Sequence, residues 1–218
     1  MDHTLLVSFE AKDGALNTSI KETINCMIDD LIASLPDPDS LNSSERRGII
    51  ARYSAVLEGN FVYWMTAAFL AVKSEEARPI IIDNLHEEVR DAHPAMLRRF
   101  ALAAHAFPTD KDALDVHHEL TKVRLFLGRL SGVRSILTMA FFEGFIQRFM
   151  VYLADLAARE GSVEMEYTDV HGVCDIEHTD GLFRALSLEM AIDPPEPNAD
   201  LFEGVCLLRD LMKKVIFN

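Results

Sequence analysis

Apolar residues recur at the three-to-four-residue spacing of a helix along nearly the whole chain, and stretches with the two-residue alternation of a strand are few. After a short extended-looking start, Leu5 to Phe9, this spacing predicts a helix from about Leu16 to Leu35, stopped by Pro36 and Pro38. Asn42-Ser43-Ser44-Glu45 offers a cap. One long helix is expected from there to about Val72, carrying Tyr53, Glu58, Phe61, Tyr63 and Trp64. A break near Lys73-Ser74 opens another helix through Asn84-Leu85-His86-Glu87-Glu88. His93-Pro94 demands a kink or a restart, because proline pushes the residue before it out of the helical region. Ala95 to Ala106 is helical again, and the loop Pro108 to Asp112 leads into a polar stretch whose His117 and His118 read as loop or surface. A long apolar helix from about Val133 to Arg159 turns at Glu160-Gly161-Ser162 into a further helix. Asp193-Pro194-Pro195-Glu196-Pro197 then sets off a last amphipathic one, Leu201 to about Ile216. With no repeats, no low-complexity tracts and no parallel-sheet pattern, the expected architecture is an all-α bundle of seven or eight helices in one domain, residues 1–218.

Composition narrows the function classes. A formal charge of −14 argues against a nucleic-acid or anionic-membrane surface, since phosphate binding needs concentrated Lys and Arg. Cys26, Cys174 and Cys206 are sparse, odd in number and without a C-x2-C pair, which fits a reducing compartment. There is neither an apolar run of about 18 residues nor a basic-then-apolar start. The expectation is therefore a cytoplasmic protein without a membrane partner.

The helix expected after Gly161 carries the chemistry. His171, Asp175 and His178 stand at H-x3-D-x2-H spacing, and offsets of four and seven residues return to within about 40° and 20° of the starting direction. All three side chains thus project from one stripe, as a metal site requires; the plain alternative is a polar helix face that happens to hold them. If the helices flanking Gly161 form an antiparallel hairpin, Glu143 lies about 18 residues before the turn and His178 about 17 after it, so the two are level. Glu143 also sits within Met139-Ala140-Phe141-Phe142-Glu143-Gly144-Phe145, where an unpaired carboxylate is costly and a cation would relieve it. Pairing with Gln147 or Arg148 is the ordinary alternative. The same arithmetic across the break near Ser74 sets Glu58 level with Glu88. Inward-facing carboxylates and imidazoles from several helices suit a pair of iron ions, or manganese, better than one tetrahedral zinc.

Three stretches resemble the haem-oxygenase-like di-iron oxidases and oxygenases, whose relatives of similar fold include thiaminase-like and pyrroloquinoline-quinone-synthase-like proteins. They are Ala77 to Glu88 followed by His93-Pro94, Phe141-Phe142-Glu143, and His171 to His178, within a resemblance that covers about residues 43–190. The resemblance implies a haem-oxygenase-like bundle of seven to eight helices. It also implies metal ligands Glu88, His93, Glu143 (as the bridging carboxylate), His171, Asp175 and His178, with Glu58 as an optional further one. Glu87 stays open as a substitute for Glu88, and His86 as a competitor for His93. The implied cofactor is two Fe(II), with Mn as the alternative, and the implied activity is a non-haem di-iron oxidoreductase using O2. Its substrate would be a small amine, amino acid or fatty acid in a biosynthetic pathway.

Glu58 resembles in placement an extra carboxylate of amine-hydroxylating members and tilts the expectation towards N-oxygenation. Phe142 stands where the para-aminobenzoate-forming members carry a tyrosine, so that activity is not expected. Tyr167, Asp169, Glu177 and Asp180 are near enough in sequence to orient the imidazoles. Phe61, Trp64, Phe141, Phe142 and Phe145 are candidates for a substrate cavity or plain core, and Cys174 reads as a buried, inert thiol. An electron donor and a homodimer are left open. Two other classes stand beside this one: a metal-free haem-oxygenase-like enzyme, thiaminase-like or a cofactor-ring oxidase, and a non-enzymatic protein binding a partner through its last amphipathic helix.

Overall fold

The computed structural model describes residues 19–218, and no strand occurs among them. The extended start expected at Leu5 to Phe9 lies outside the described residues. The chain forms α1 (residues 19–33), α2 (Ser43–Leu57), α3 (Asn60–Ala71), α4 (Arg78–Arg90) and α5 (His93–Ala103). It continues as α6 (Asp110–Leu127), α7 (Gly132–Arg159), α8 (Glu166–Ile192) and α9 (Glu203–Ile216).

The start of α2 follows from its cap. The Asn42 side chain accepts from the backbone N–H of Ser44 and Glu45 at 2.9 and 3.1 Å, and Glu45 returns the bond to the Asn42 N–H at 2.7 Å. The single long helix expected to Val72 is instead two. Gly59 adopts φ 78°, a left-handed conformation that closes α2 at Glu58 and starts α3, and the continuous apolar pattern on both sides conceals the break. The polar stretch around His117 and His118 is also helix, not loop. A Thr109/Asp112 capping box opens α6, and Val116, Leu120, Val123 and Leu127 form a narrow buried stripe beneath a charged face on which both histidines are exposed.

The α4 to α5 junction behaves as Pro94 requires. Helix α4 ends at Arg90, Ala92 takes φ 57°, and α5 restarts at His93. A second junction is fixed by Glu189, which is fully buried and accepts from the backbone N–H of Lys73 at 3.0 Å and Ser74 at 2.8 Å. A Cβ on Gly132 would lie 2.2 Å from Glu189 Oε1, so glycine is what allows α7 to begin there.

Helix α7 is the axis of the bundle, in contact with α8 along its length and with α2, α3, α5 and α9. Contrary to the expectation of no apolar run of about 18 residues, it is by length and composition apolar enough to cross a membrane, and 78% of that window is buried inside the protein. Such all-round apolarity marks a helix enclosed by others. Gly161, at φ 86°, closes the expected turn into α8. Helix α9 is amphipathic as expected, but its apolar face, Val205, Leu208, Leu211 and Val215, is fully buried in the bundle's own core rather than free for a partner.

Candidate metal centre

Four helices bring ligand-type side chains together. Asn84 and Glu88, one turn apart on α4, are both buried, while Glu143 lies at mid-length of α7, 2% exposed. His171, Asp175 and His178 follow along one stripe of α8, as the spacing requires. His93 reaches the group because the left-handed turn at Ala92 returns the chain towards α4: its Nδ1 lies 2.6 Å from Glu88 Oε2.

The distances form two groups, which meet at one cavity. His171 Nδ1–H donates to the Tyr167 carbonyl at 2.8 Å, which leaves Nε2 facing Glu88 Oε2 at 4.0 Å. The His93 and His171 rings stand 4.5 Å apart. His178 Nδ1 is 3.7 Å from both Glu143 Oε2 and Asp175 Oδ1, so the hairpin arithmetic across Gly161 holds. Its Nε2 is 2.9 Å from Glu87 Oε2. Asn84 donates to Glu143 Oε1 at 2.8 Å, and the Cys174 thiol donates to Asp175 Oδ1 at 3.3 Å. Glu88, Glu143, Tyr167, His171, Asp175 and His178 line a cavity of about 10 Å³, closed on its apolar side by Leu57, Phe61 and Ile146. That is room for about one water-sized particle.

The charges are strained by burial. Burial, with Asp175 beside it, pushes the Glu143 carboxyl up to about 7 against the pull of His178 and Asn84. Burial works against a charged His178, yet Asp175, Glu143 and Glu87 hold its imidazole up to about 11. His171 is likewise raised despite burial, chiefly by Glu88, and Glu88 is lowered despite burial by His171 and His93. Burial also pushes the Cys174 thiol and the phenols of Tyr53 and Tyr167 up, which agrees with an inert Cys174.

These residues fit a divalent cation. Asp175 Oδ2 is buried and has no hydrogen-bond partner among the described residues, an acceptor left without a donor. Three carboxylates and three neutral imidazoles would carry three negative charges, and their mixed oxygen and nitrogen donors suit iron or manganese. Glu88, His93 and His171 form one cluster of ligand atoms within 4.8 Å of one another; Asp175 and His178, with Cys174, form another.

All six residues of the expected ligand set thus meet, and Glu58 does not. As the last residue before Gly59, Glu58 bonds Arg98 Nε at 2.6 Å and lines no part of the cavity; the break in the helix that the sequence reading missed upsets the register that set it level with Glu88. His86 is exposed, so His93 is the histidine delivered from this region. Glu88 faces the cavity, whereas Glu87 is half exposed and touches the group only through His178. Of the four neighbours considered as orienting groups, Tyr167 alone faces inward: it holds His171, and its hydroxyl lies 2.9 Å from that of Tyr53. Asp169, Glu177 and Asp180 are exposed. Among the aromatic candidates Phe61 lines the cavity, while Trp64, Phe141, Phe142 and Phe145 are fully buried core. Gln147 points to the Gly172 carbonyl and Arg148 to α1, so neither partners Glu143. Asn84 is the contact that sequence reasoning missed; its position one turn before Glu88 was the available signal.

A family model described as Iron-containing redox enzyme matches residues 50–212, a span that holds all six residues. No curated protein and no solved structure matches the chain.

Proposed function

The chain belongs to the family of iron-containing redox enzymes, of haem-oxygenase-like fold, and from that premise we propose that it is a non-haem di-iron oxidase or oxygenase acting on a small organic molecule with O2. The observation that carries this reading is the convergence of five ligand-type side chains from α4, α7 and α8 on one buried cavity, with His93 of α5 held 2.6 Å from Glu88 and Asp175 Oδ2 left unpartnered. Glu88, His93 and His171 would hold one ion, Asp175 and His178 the other, and Glu143 would stand between them. Two iron ions there would supply the reduction of O2 and the oxidation of a nearby substrate.

The chain's own part is positional and electrostatic. The Tyr167 carbonyl fixes the tautomer of His171 and presents its Nε2 to the cavity. Asn84 orients Glu143, and the Cys174 thiol does the same for Asp175. Leu57, Phe61 and Ile146 exclude bulk water from the cavity, which strengthens each charge interaction inside it. N-oxygenation loses its support from Glu58, which is committed to Arg98.

Metal analysis tests the proposal. Protein loaded anaerobically with Fe(II) should retain about two iron ions per chain, and His171→Ala or Asp175→Ala should lose both iron and O2 consumption while keeping the helical circular-dichroism signal. Full O2 consumption by an iron-free, manganese-free preparation would refute it.

A further inference from the structure

Beside the proposed ligands stands a further carboxylate that lines no part of their cavity. Glu87 and Glu88 are consecutive on α4, so their side chains leave the helix about 100° apart. Glu88 turns into the cavity, while Glu87 stays at the rim with its side chain 42% exposed. Its Oε2 nevertheless lies 2.9 Å from His178 Nε2, which α8 delivers from 91 residues further along the chain. Among the described residues this is the one hydrogen bond of the Glu87 carboxylate.

An imidazole offers one nitrogen to an ion, and which one is set by the hydrogen bond that the other makes. In His171 a backbone group decides: Nδ1–H donates to the Tyr167 carbonyl at 2.8 Å, and Nε2 faces the cavity. His178 is arranged the other way round. Its Nε2–H donates outward to Glu87, and Nδ1 faces Glu143 Oε2 and Asp175 Oδ1, 3.7 Å from each and too far for a hydrogen bond with either. The two histidines also differ in what holds them. The Tyr167 carbonyl belongs to a buried residue within α8, whereas Glu87 is a side chain at the solvent edge of α4. A carboxylate behind a metal-bound imidazole fixes the ring and raises its basicity, and losing one costs about 10- to 100-fold in metal affinity.

We infer that Glu87 is a positioning residue: it holds His178 so that Nδ1 rather than Nε2 meets the metal, and it thereby governs retention of the ion on the Asp175 and His178 side alone. The inference rests on the di-iron reading for the ion but not for the contact, which α4 and α8 make by themselves. The test is anaerobic Fe(II) binding to the full chain by competition with a chelator, together with side-chain NMR of the metal-free protein. Glu87→Ala should weaken one of the two ions roughly 10- to 100-fold and leave the other within about threefold, so that iron retained against the chelator falls from about two per chain to about one. Glu87→Gln keeps an acceptor oxygen for the Nε2–H and should lie nearer to wild type than to Glu87→Ala. Glu177→Gln removes an exposed charge next to His178 without touching its ring and should leave both ions in place. In the spectra the His178 Nε2 proton should exchange slowly with water in wild type and Glu87→Gln, and rapidly in Glu87→Ala. Loss of both ions or of neither in Glu87→Ala, a Glu87→Gln chain as weak as Glu87→Ala, or an equal effect of Glu177→Gln would each overturn the inference while leaving the di-iron reading intact. A wild-type chain that retains fewer than two ions refutes that reading instead, and the Nε2 exchange alone then decides whether Glu87 positions His178.

Discussion

Binding of metal must displace protons, and the number follows from the site. A proton on an imidazole nitrogen or a carboxylate oxygen occupies the lone pair that has to reach the ion, so affinity rises with pH wherever the metal-free ligands are protonated. His178, raised to about 11 by Asp175, Glu143 and Glu87 against the effect of burial, carries a full proton at pH 7. Glu143, pushed up to about 7 by burial and Asp175, is still partly protonated there. Loading should therefore release more than one proton per chain at pH 7, with His171, also raised above the ordinary histidine value, adding to His178 and Glu143, and affinity should rise more than about tenfold per pH unit there, easing towards about tenfold at higher pH as Glu143 and His171 lose their protons. Anaerobic calorimetry with Fe(II) or Mn(II), repeated in buffers of different ionisation enthalpy, counts these protons directly. Release of less than about half a proton at pH 7, or an affinity flat between pH 6 and 8, would show that His178 and Glu143 do not meet the metal.

Other substitutions probe separate parts of the structure. Asn84→Ala removes the donor that orients Glu143 and should weaken iron binding roughly 10- to 100-fold with the fold preserved, read by competition with a chelator. Glu58→Ala should leave iron content unchanged and stability within about 1 kcal/mol, since it breaks only a partly exposed pair with Arg98. Gly132→Ala should cost about 1–3 kcal/mol, because the new methyl meets Glu189 at 2.2 Å and the Ala71 carbonyl at 3.1 Å. A fall of several degrees in Tm by calorimetry checks it.

The legible parts of this fold are those where local rules and burial agree. The stripe of His171, Asp175 and His178, the turn at Gly161 and the placement of Glu143 opposite His178 all follow from helix geometry, and the coordinates repeat it. The break at Gly59 was hidden because apolar residues continue through it, and a glycine within a helical pattern does not say whether its φ is positive. That one omission produced the misplacement of Glu58. Helix α6 was hard to read for the opposite reason: its buried stripe is narrow, and the charged residues dominate its sequence. Glu87 meets His178 only through tertiary packing of α4 on α8, which no local spacing encodes, whereas Asn84, one turn before Glu88, was within reach of helix spacing.

The acid at the middle of α7 makes the stability of the bundle depend on what neutralises it. Without a metal, only the protonated His178, 3.7 Å from each, stands between Glu143 and Asp175, and burial with the neighbouring charge still pushes Glu143 up, so a bound cation relieves a cost that the folded chain otherwise carries.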